Sequence, residues 1–380
     1  MKIGEIFSGS VRGLTSAGLG VVQHPSGRVV FIEGVWLGEA GSFRVTEKRG
    51  RIGFASIETL EQTSDARVTP KCTYHGIGSK SCGGCAWQFV SYPAQLEAKQ
   101  KRIDEAMHRV DPRIASKSIL ASAKEFGYRN RAQLKTDGTR LGYVATKSHN
   151  LVDVDVCPIL TDHNQALLTE LRSELPNTAW KPARKHNWTT LNIDKTITVK
   201  ESVVNSRLPF LQGNDDQNTT MKAWLLSHLQ QLDTNSKVLE LFSGSGNFTE
   251  VIADCGFSAI HAVEGDEFAV NNLTKRGLAN VTTQVCDLFS DDSLRRLLKM
   301  HADTEVLVLD PPRAGLKSRE GLFTKKSKLR HILYVSCDLA TFTRDLATFL
   351  ENGFKVVELQ PLDLFPQTPH LELMCYLRKK

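Results

Sequence analysis

The C-terminal half of the chain alternates apolar runs with amphipathic stretches from about residue 222. Short apolar runs bounded by turn residues are typical of strands buried on both faces, and helices between them cover a parallel sheet. The pattern predicts strands at Lys237–Phe242, Ala259–Val263, Val281–Cys286, before Asp310 and before Cys337. We therefore predict an α/β fold whose C-terminal domain spans residues 211–380.

The N-terminal region has short β segments separated by glycines. Their spacing predicts a small β-barrel over residues 1–65, in which Pro25-Ser26-Gly27 forms a hairpin turn. The segments are Ile3–Ile6, Gly20–Val22, Arg28–Ile32 and Gly41–Val45. A basic cluster near the last segment indicates either a solvated hairpin or a surface for a phosphate backbone, and charge alone favours neither. It consists of Arg44, Lys48, Arg49 and Arg51.

Residues 66–210 predict a central α+β domain. Apolar residues at helical spacing predict a helix over Tyr92–Val110. The remainder predicts mixed β structure, with strands at Arg131–Lys135, Leu141–Val144 and Thr196–Val199. We find no internal repeat or low-complexity segment in the sequence.

Composition narrows the class of protein. The 380 residues are 41% hydrophobic and 24% charged, which is ordinary for a folded globular chain. The net charge of +6 permits a polyanionic partner without requiring one. The sequence shows neither a secretory signal nor an apolar stretch of membrane-spanning length, so we expect a cytoplasmic protein. In that compartment the eight cysteines are expected to bind metal, to act in catalysis or to be buried.

The loop after the first C-terminal strand carries a nucleotide-binding signature. Gly244 and Gly246 let the backbone turn sharply and approach a ligand, and an acid, Glu264, ends the next strand. A carboxylate at that place accepts hydrogen bonds from ribose hydroxyls. Because the third glycine of the dinucleotide fingerprint is missing, adenosyl-methionine fits better than a pyrophosphate ligand. Asp287, after the third strand, would reach the adenine edge.

Two residues at strand ends and one carboxylate near the C-terminus indicate which reaction the site performs. Cys337 and Asp310 end neighbouring strands of the predicted sheet and would face the ligand crevice. A thiolate that adds to C6 of a pyrimidine makes C5 able to accept a methyl group. A base must then remove the C5 proton, and Glu372 is the candidate. We expect a lowered pKa for Cys337, helped by a cation such as Arg313, rather than an inert core cysteine.

Four other cysteines form a candidate ligand set. Cys82-Gly83-Gly84-Cys85 places two thiols on one turn, and Cys157 precedes a proline, as in ferredoxin ligand runs. Together with Cys72 they predict an iron–sulfur cluster. Zinc is the alternative, which is less favoured because zinc sites normally use two close pairs. Three cysteines are expected to be structural: Cys255, Cys286 and Cys375.

Together these residues resemble the family of RNA uracil-5-methyltransferases that use adenosyl-methionine, and most of all its ribosomal branch. That branch carries an N-terminal TRAM barrel and a [4Fe-4S] cluster, and the resemblance covers nearly the whole chain. It implies a Rossmann-like methyltransferase domain with Cys337 as nucleophile and Glu372, at the end of the motif Asp363–Glu372, as base. It also implies cofactor contacts from Gln212, Phe242, Gly244, Asn247, Glu264, Asp287 and Asp310.

The chain departs from the family's usual pattern at two positions. The residue after the nucleophile is usually Asn and is Asp338 in this chain, and the loop that usually carries Phe-Cys-Gly has Ser243. Nine residues lie between Cys72 and Cys82, which is longer than usual.

The resemblance implies methylation of uridine C5 in RNA, with 23S ribosomal RNA favoured and a monomeric enzyme expected. One alternative is the same chemistry on the T loop of tRNA. Another is a non-catalytic iron–sulfur protein that binds RNA, against which the intact site argues. Nitrogen methylation of adenine is disfavoured because it needs no thiol and because Arg313 stands where an aromatic ring would stack. The candidate RNA contacts are Trp87, Phe89, Tyr128 and Arg129. For the three aromatic residues among them, packing in the core is an equally good explanation.

Overall fold

The N-terminal segment folds into a closed five-stranded barrel in the order β1-β2-β3-β5-β4. Its strands are β1 (Ile6–Leu14), β2 (Gly20–Gln23), β3 (Val29–Ile32), β4 (Ala40–Arg49) and β5 (Ile52–Gln62). The barrel is filled by alternating inward side chains such as Phe7, Val30 and Phe43. The predicted barrel and its hairpin turn are confirmed. The predicted strand at Ile3–Ile6 was wrong, because the first strand begins only at Ile6.

The computed structural model describes residues 1–317, 319–324 and 326–379, which form two compact units. The first unit contains residues 1–98, 124–207 and 365–370, and the second contains residues 99–123, 208–364 and the chain from residue 371. The first unit therefore includes the barrel and most of the region predicted as a central domain.

Besides the barrel, the first unit has an antiparallel four-stranded sheet in the order β8-β7-β6-β9. These strands are β6 (Arg131–Thr136), β7 (Leu141–Val144), β8 (Leu151–Asp153) and β9 (Thr189–Asp194). The predicted strand at Thr196–Val199 was wrong: its last residue starts a short 3-10 helix, Val199–Glu201, and the strand precedes it. The Asp194 side chain accepts a hydrogen bond from the Thr196 backbone N–H at 2.7 Å, which turns the chain there.

The second unit is built on a seven-stranded sheet in the order β12-β11-β10-β13-β14-β16-β15. These strands are β10 (Lys237–Leu241), β11 (Ala259–Glu264), β12 (Val281–Val285), β13 (Val306–Leu309), β14 (His331–Ser336), β15 (Phe354–Leu362) and β16 (Glu372–Lys379). The first five in sequence run parallel, and β16 is antiparallel to both of its neighbours. All four residues of β13 are buried, as expected for a strand covered on both faces.

Helices alternate with these strands, as the sequence pattern predicted. The helices of the described chain are α1 (Tyr92–Val110), α2 (Asp162–Ser173), α3 (Asp215–Leu229), α4 (Thr249–Asp254), α5 (Glu267–Lys275), α6 (Asp291–Met300) and α7 (Leu339–Glu351). The predicted α/β class, with an N-terminal barrel and a Rossmann-like C-terminal sheet, is confirmed. Within the described residues, none of the helices has the length and apolarity needed to span a membrane.

Candidate active site

The carboxyl edge of the seven-stranded sheet collects most of the predicted site residues. The chain leaves β10 in one direction toward β11 and β12 and in the other toward β13 and β14, which creates a crevice where the strand order reverses. Phe242, Glu264 and Asp310 each lie at or just beyond the end of a strand bordering that crevice, and Cys337 follows β14.

The glycine loop after β10 has a strongly turned backbone. Phe242, Gly244 and Gly246 all have positive φ, at 63°, 55° and 93°. A Cβ on Gly246 would lie 2.5 Å from Leu273 and 2.9 Å from the Arg276 guanidinium, so a larger residue would force these side chains apart. Arg276 donates a 2.7 Å hydrogen bond to the Gly246 carbonyl, which holds the loop in this shape.

The same loop presents polar atoms to the crevice edge. The Ser243 and Ser245 hydroxyls are buried and have no hydrogen-bond partner in the part of the chain that the structure describes. Glu264 accepts hydrogen bonds from the backbone N–H groups of Gly244 at 3.0 Å and Gly265 at 2.7 Å. The Glu264 carboxylate thus holds the backbone of the loop, and two hydroxyls beside it keep unused capacity to hydrogen-bond.

Three other predicted cofactor contacts lie around this loop. Asn247 and Asn218 of α3 exchange two amide hydrogen bonds, at 2.9 and 3.0 Å. Asp287 is exposed after β12 and accepts a 2.9 Å hydrogen bond from the Phe289 N–H, and the Phe289 ring lies 5.8 Å from that of Phe242. Gln212 lies just before α3 and is half-buried.

Asn214, which lies two residues after the predicted cofactor contact Gln212, has a structural role. Its side chain caps α3 by accepting from the Gln217 N–H at 3.3 Å, and it donates to the Ser122 hydroxyl at 3.1 Å and the Leu364 carbonyl at 3.3 Å. An amide engaged on both of its atoms fixes the start of the helix next to Gln212.

Glu372 and Cys337 meet across the pair of strands β14 and β16. Ser336 pairs with Leu373, so the next position on each strand brings Cys337 toward Glu372. Glu372 is 3% exposed, and burial and the charge of Asp310 raise its pKa well above the usual value, opposed by Arg313. Asp310 is affected in the same sense: burial and the charge of Glu264 raise its pKa to about 7.

The expected low pKa of Cys337 was wrong. Burial, followed by the charges of Glu372 and Asp310, raises the pKa of this thiol to about 12. Arg313 acts in the predicted direction and lowers the pKa, but the larger contributions outweigh it. In the free protein Cys337 is therefore a neutral thiol at physiological pH.

Asp338 follows Cys337 and stands where the family usually has Asn, and its role in the structure explains why this departure is tolerated. Asp338 is the N-cap of α7, and its carboxylate accepts a 2.9 Å hydrogen bond from the Thr341 backbone N–H. Asp and Asn are about equally good at this capping position, so the usual Asn can be replaced without changing the helix start.

The comparisons with known proteins agree with this geometry. The tRNA (uracil-5-)-methyltransferase family matches residues 181–380. An uncharacterized RNA methyltransferase of Nitrosomonas europaea is 41% identical over 98% of this chain and 97% of its own length. The chain belongs to the RNA uracil-5-methyltransferase family. It is thus an enzyme that methylates C5 of uracil in RNA.

Two further relatives of this uracil-5-methyltransferase are informative. The 23S rRNA (uracil(1939)-C(5))-methyltransferase RlmD of Halomonas elongata is 31% identical over 97% of the chain and 88% of its own length. The crystal structure of Pyrococcus abyssi tRNA (uracil-54, C5)-methyltransferase in complex with S-adenosyl-L-homocysteine matches with a TM-score of 0.70 at 22% identity. It covers 97% of this chain and 99% of that one, and at this identity it shows a shared fold.

The structure reveals a buried acid near the glycine loop of the methyltransferase that the sequence reasoning missed. Glu240 lies inside β10, is 2% exposed and accepts a 2.6 Å hydrogen bond from the Thr249 hydroxyl. Burial raises its pKa to about 8, with that hydrogen bond opposing the shift and the charge of Asp310 adding to it. The available signal was a single acid within an otherwise apolar strand.

A second missed residue, Asp345 of α7, anchors the loop that carries Arg313. Its buried carboxylate accepts hydrogen bonds from the Leu316 N–H and the Tyr334 hydroxyl, both at 2.8 Å, and pairs with Arg319 and Arg344 at 2.9 Å. Arg344 also donates to the carbonyls of Ala314 and Leu316. Helix α7 thereby holds Ala314, Leu316 and Arg319 in place.

The four predicted cluster cysteines lie together in the first unit and form no disulfide. Burial raises the pKa of Cys82 to about 11, and the charges of Cys157 and Cys72 contribute, so the thiols are within electrostatic reach of one another. Backbone N–H groups at residues 159 and 160 point to the Cys157 sulfur. Across the described ranges, no three His, Cys, Asp or Glu side chains are close enough to hold a single metal ion.

Three of the four candidate RNA contacts were wrong. Trp87 is fully buried, Tyr128 is 3% exposed and Phe89 is 7% exposed, so these rings pack in the interior of the first unit. Arg129 is half-buried and lies over the Phe365 ring at 5.0 Å. In the barrel, Arg44 pairs with Glu58 and Arg49 with Glu47, which neutralises two of the four basic residues noted there.

Proposed function

We propose that the enzyme uses adenosyl-methionine to methylate a uridine of 23S ribosomal RNA, with Cys337 as nucleophile and Glu372 as base. The observation that carries this proposal is the meeting of a strand-end thiol with a buried carboxylate beside the glycine loop. The 31% identity to a 23S rRNA methyltransferase over nearly the whole chain supports the choice of substrate.

In the proposed reaction the Cys337 sulfur, as thiolate, forms a bond to C6 of the uracil ring, which becomes an enolate. C5 of this enolate takes the methyl group from the sulfonium of adenosyl-methionine, whose S–CH3 bond breaks so that S-adenosyl-L-homocysteine leaves as the neutral thioether. The Glu372 carboxylate then removes the C5 proton, the C6–S bond breaks, and the C5–C6 double bond is restored. Because the free thiol has a pKa of about 12, it must give its proton to a base as the C6–S bond forms. The proposed acceptor is Asp310, the other carboxylate whose charge acts on Cys337, since Glu372 must remain a carboxylate for the later step.

The proposed co-substrate contacts surround the crevice. Gln212, Phe242 and Asn247 would contact the methionyl and adenosine parts, while Glu264 would accept from the ribose and Asp287 would reach the adenine. The Gly244 turn would allow close approach, and Asp310 would lie between the co-substrate and the nucleophile. The bound S-adenosyl-L-homocysteine in the structurally similar Pyrococcus enzyme supports adenosyl-methionine as the methyl donor.

We also propose that residues 1–65 and 66–210 bind RNA, that residues 211–380 perform catalysis, and that the chain acts as a monomer. Cys72, Cys82, Cys85 and Cys157 would hold a [4Fe-4S] cluster, which would have a structural role. Four grouped thiols, with backbone N–H groups directed at one sulfur, fit such a cluster chemically. Anaerobic purification should give a brown protein containing iron and sulfide, whereas colourless protein with zinc would contradict the cluster.

The test of the function is methylation in vitro followed by trapping. Purified enzyme is incubated with adenosyl-methionine and either 23S rRNA or tRNA, and 5-methyluridine is mapped by mass spectrometry. Methylation of tRNA alone would support the proposed chemistry but would identify tRNA, and not 23S rRNA, as the substrate. With Glu372→Gln, methylation proceeds but release does not, so a covalent protein–RNA adduct should migrate slowly on denaturing gels. No adduct with an RNA that the wild type methylates would exclude Glu372 as the base.

A further inference from the structure

A polar groove of about 630 Å³ opens on the first unit beside the cysteine group. We name it the knuckle groove. One side is the segment between Cys72 and Cys82, which contributes Tyr74 and Lys80, and the other is the β7–β8 hairpin. The hairpin side and the far end contribute Arg140, His149, Asp153 and Asn187. A hydrogen bond of 3.1 Å from the Asn150 amide to the Ser79 carbonyl joins the two sides.

The positive charge at the knuckle groove comes from Lys80 and from the neighbouring basic segment. Lys80 is exposed, whereas the other charged lining residues are paired: Arg140 with Asp137 at 2.7 Å and Asp153 with Arg172 at 2.5 Å. An exposed acid, Asp155, accepts a 2.6 Å hydrogen bond from the Tyr74 hydroxyl on the other wall. The segment that leads to Asn187 is basic and contains no acid between residues 181 and 186. Its exposed basic residues are Lys181, Arg184, Lys185 and His186. A row of exposed cations beside a groove attracts a polyanion.

An aromatic pair stands next to these cations. The His149 and Trp188 rings are stacked, with centroids 6.1 Å apart and planes inclined by 28°. His149 is exposed and Trp188 half-buried, so the pair is accessible rather than part of the core. Flat exposed rings beside a basic groove are the elements that single-stranded nucleic-acid sites use, since every base has a face to stack.

We propose that the knuckle groove binds a single-stranded segment of the RNA substrate. A base would stack on the His149–Trp188 pair, and phosphates would contact Lys80 and the basic segment at residues 181–186. The nine-residue segment between Cys72 and Cys82, which is longer than the family's usual spacing, would then serve to build one wall of this groove. The inference rests on the proposed function only in taking RNA as the ligand.

The test measures binding of the full chain to fluorescein-labelled oligouridylate of about 16 nucleotides, and to a duplex of equal length, by anisotropy. Trp188→Ala and, separately, His149→Ala should each weaken single-strand binding about tenfold. The double variant Arg184→Gln/Lys185→Gln should reduce the slope of log affinity against log salt by about 0.7 per removed cation. Lys299→Gln, in the last turn of α6, is the matched charge control and should bind as the wild type does.

His149→Ala keeps the test valid if Trp188→Ala does not fold, because His149 is exposed in a turn. Unchanged affinity in His149→Ala and Arg184→Gln/Lys185→Gln would overturn the proposal, as would an equal loss in Lys299→Gln or tighter binding of the duplex. If the wild type methylated no RNA but bound the single strand more tightly than the groove variants did, the proposed function would be contradicted. The proposal that the groove binds single-stranded RNA would still be supported.

Discussion

Cys337 and Glu372 lie opposite each other on the antiparallel strands β14 and β16. Ser336 pairs with Leu373, Cys337 is the residue after Ser336, and Glu372 is the residue before Leu373. The negative charge of Glu372 is the largest influence after burial that raises the pKa of the thiol. Two buried groups so placed resist being charged together. The register of one antiparallel strand pair therefore couples the protonation of the proposed nucleophile to that of the proposed base.

This coupling predicts the reactivity of the thiol. Cys337 in the free enzyme should react slowly with iodoacetamide at pH 8, and the rate should rise as the pH approaches about 12. Glu372→Gln removes a negative charge, so it should lower the pKa of Cys337 and accelerate alkylation at pH 8. Mass spectrometry of the Cys337 peptide measures the rate, with Cys255 in the same digest as the internal control. Equal rates in both proteins would show that the two groups are not coupled.

Cys337→Ala should abolish methyl transfer while leaving the affinity for adenosyl-methionine within about twofold of the wild type. The reason is that the proposed co-substrate contacts lie before α3 and at the ends of β10, β11, β12 and β13, and none of them is the thiol, which follows β14. Calorimetric titration and a tritium-transfer assay measure the two quantities, and Cys286→Ala is the matched control. A Cys337→Ala enzyme that still forms 5-methyluridine would eliminate the covalent mechanism. The expected twofold limit corresponds to about 0.4 kcal/mol, well below the loss of a direct contact.

Glu240 gives a pH dependence of stability with a definite sign. Its folded pKa of about 8 is raised above the ordinary value of 4.5, so the folded state holds the proton more tightly than the unfolded state does. Its contribution to the free energy of unfolding is therefore complete below about pH 4.5 and is lost as the pH rises toward 8. Glu240→Gln keeps an acceptor for Thr249 and cannot ionise.

Relative to wild type, Glu240→Gln should thus gain free energy of unfolding as the pH increases from 5 to 8. Each unit of pKa displacement corresponds to about 1.4 kcal/mol, so the gain should reach a few kcal/mol. Urea denaturation followed by circular dichroism at three pH values measures it, and Glu267→Gln on exposed α5 is the control. A difference between the proteins that is constant with pH would show that Glu240 titrates normally.

The spacing of apolar residues predicted those helices and strands whose formation depends mainly on residues nearby in the sequence. Helix α1 has the bounds that its apolar spacing predicted, and the strand ends at Glu264 and Asp310 lie at the carboxyl edge as expected. At Thr196, β-branched residues predicted a strand, but a hydrogen bond to the Asp194 side chain makes a turn instead. Local side-chain bonds thus prevailed over β-propensity at that point.

Properties that depend on distant residues could not be predicted in the same way. The sequence shows Arg313 at the end of the strand before Cys337, but it does not show that Glu372, 35 residues after the thiol, would have the larger electrostatic influence on its pKa. Nor does it show how deeply the thiol is buried, which decides the sign of the pKa shift. Trp87 and Phe89 presented the same difficulty, because an aromatic residue in a polar segment serves a core or a ligand equally well.

Asp345 supplies the last prediction, because its contacts with Leu316 and Arg319 hold the loop that carries Arg313. Asp345→Asn leaves the partly exposed Arg319 and Arg344 guanidiniums without their carboxylate and weakens the buried hydrogen bonds from Leu316 and Tyr334, so it should lower the free energy of unfolding by about 1–3 kcal/mol. Urea denaturation measures this loss. Asp303→Asn, which removes an exposed pair with Lys237, should change stability by less than about 1 kcal/mol. Since Arg313 lowers the pKa of Cys337, a displaced loop should also slow iodoacetamide alkylation of the thiol in folded Asp345→Asn. Lost stability with unchanged alkylation would limit Asp345 to a structural role.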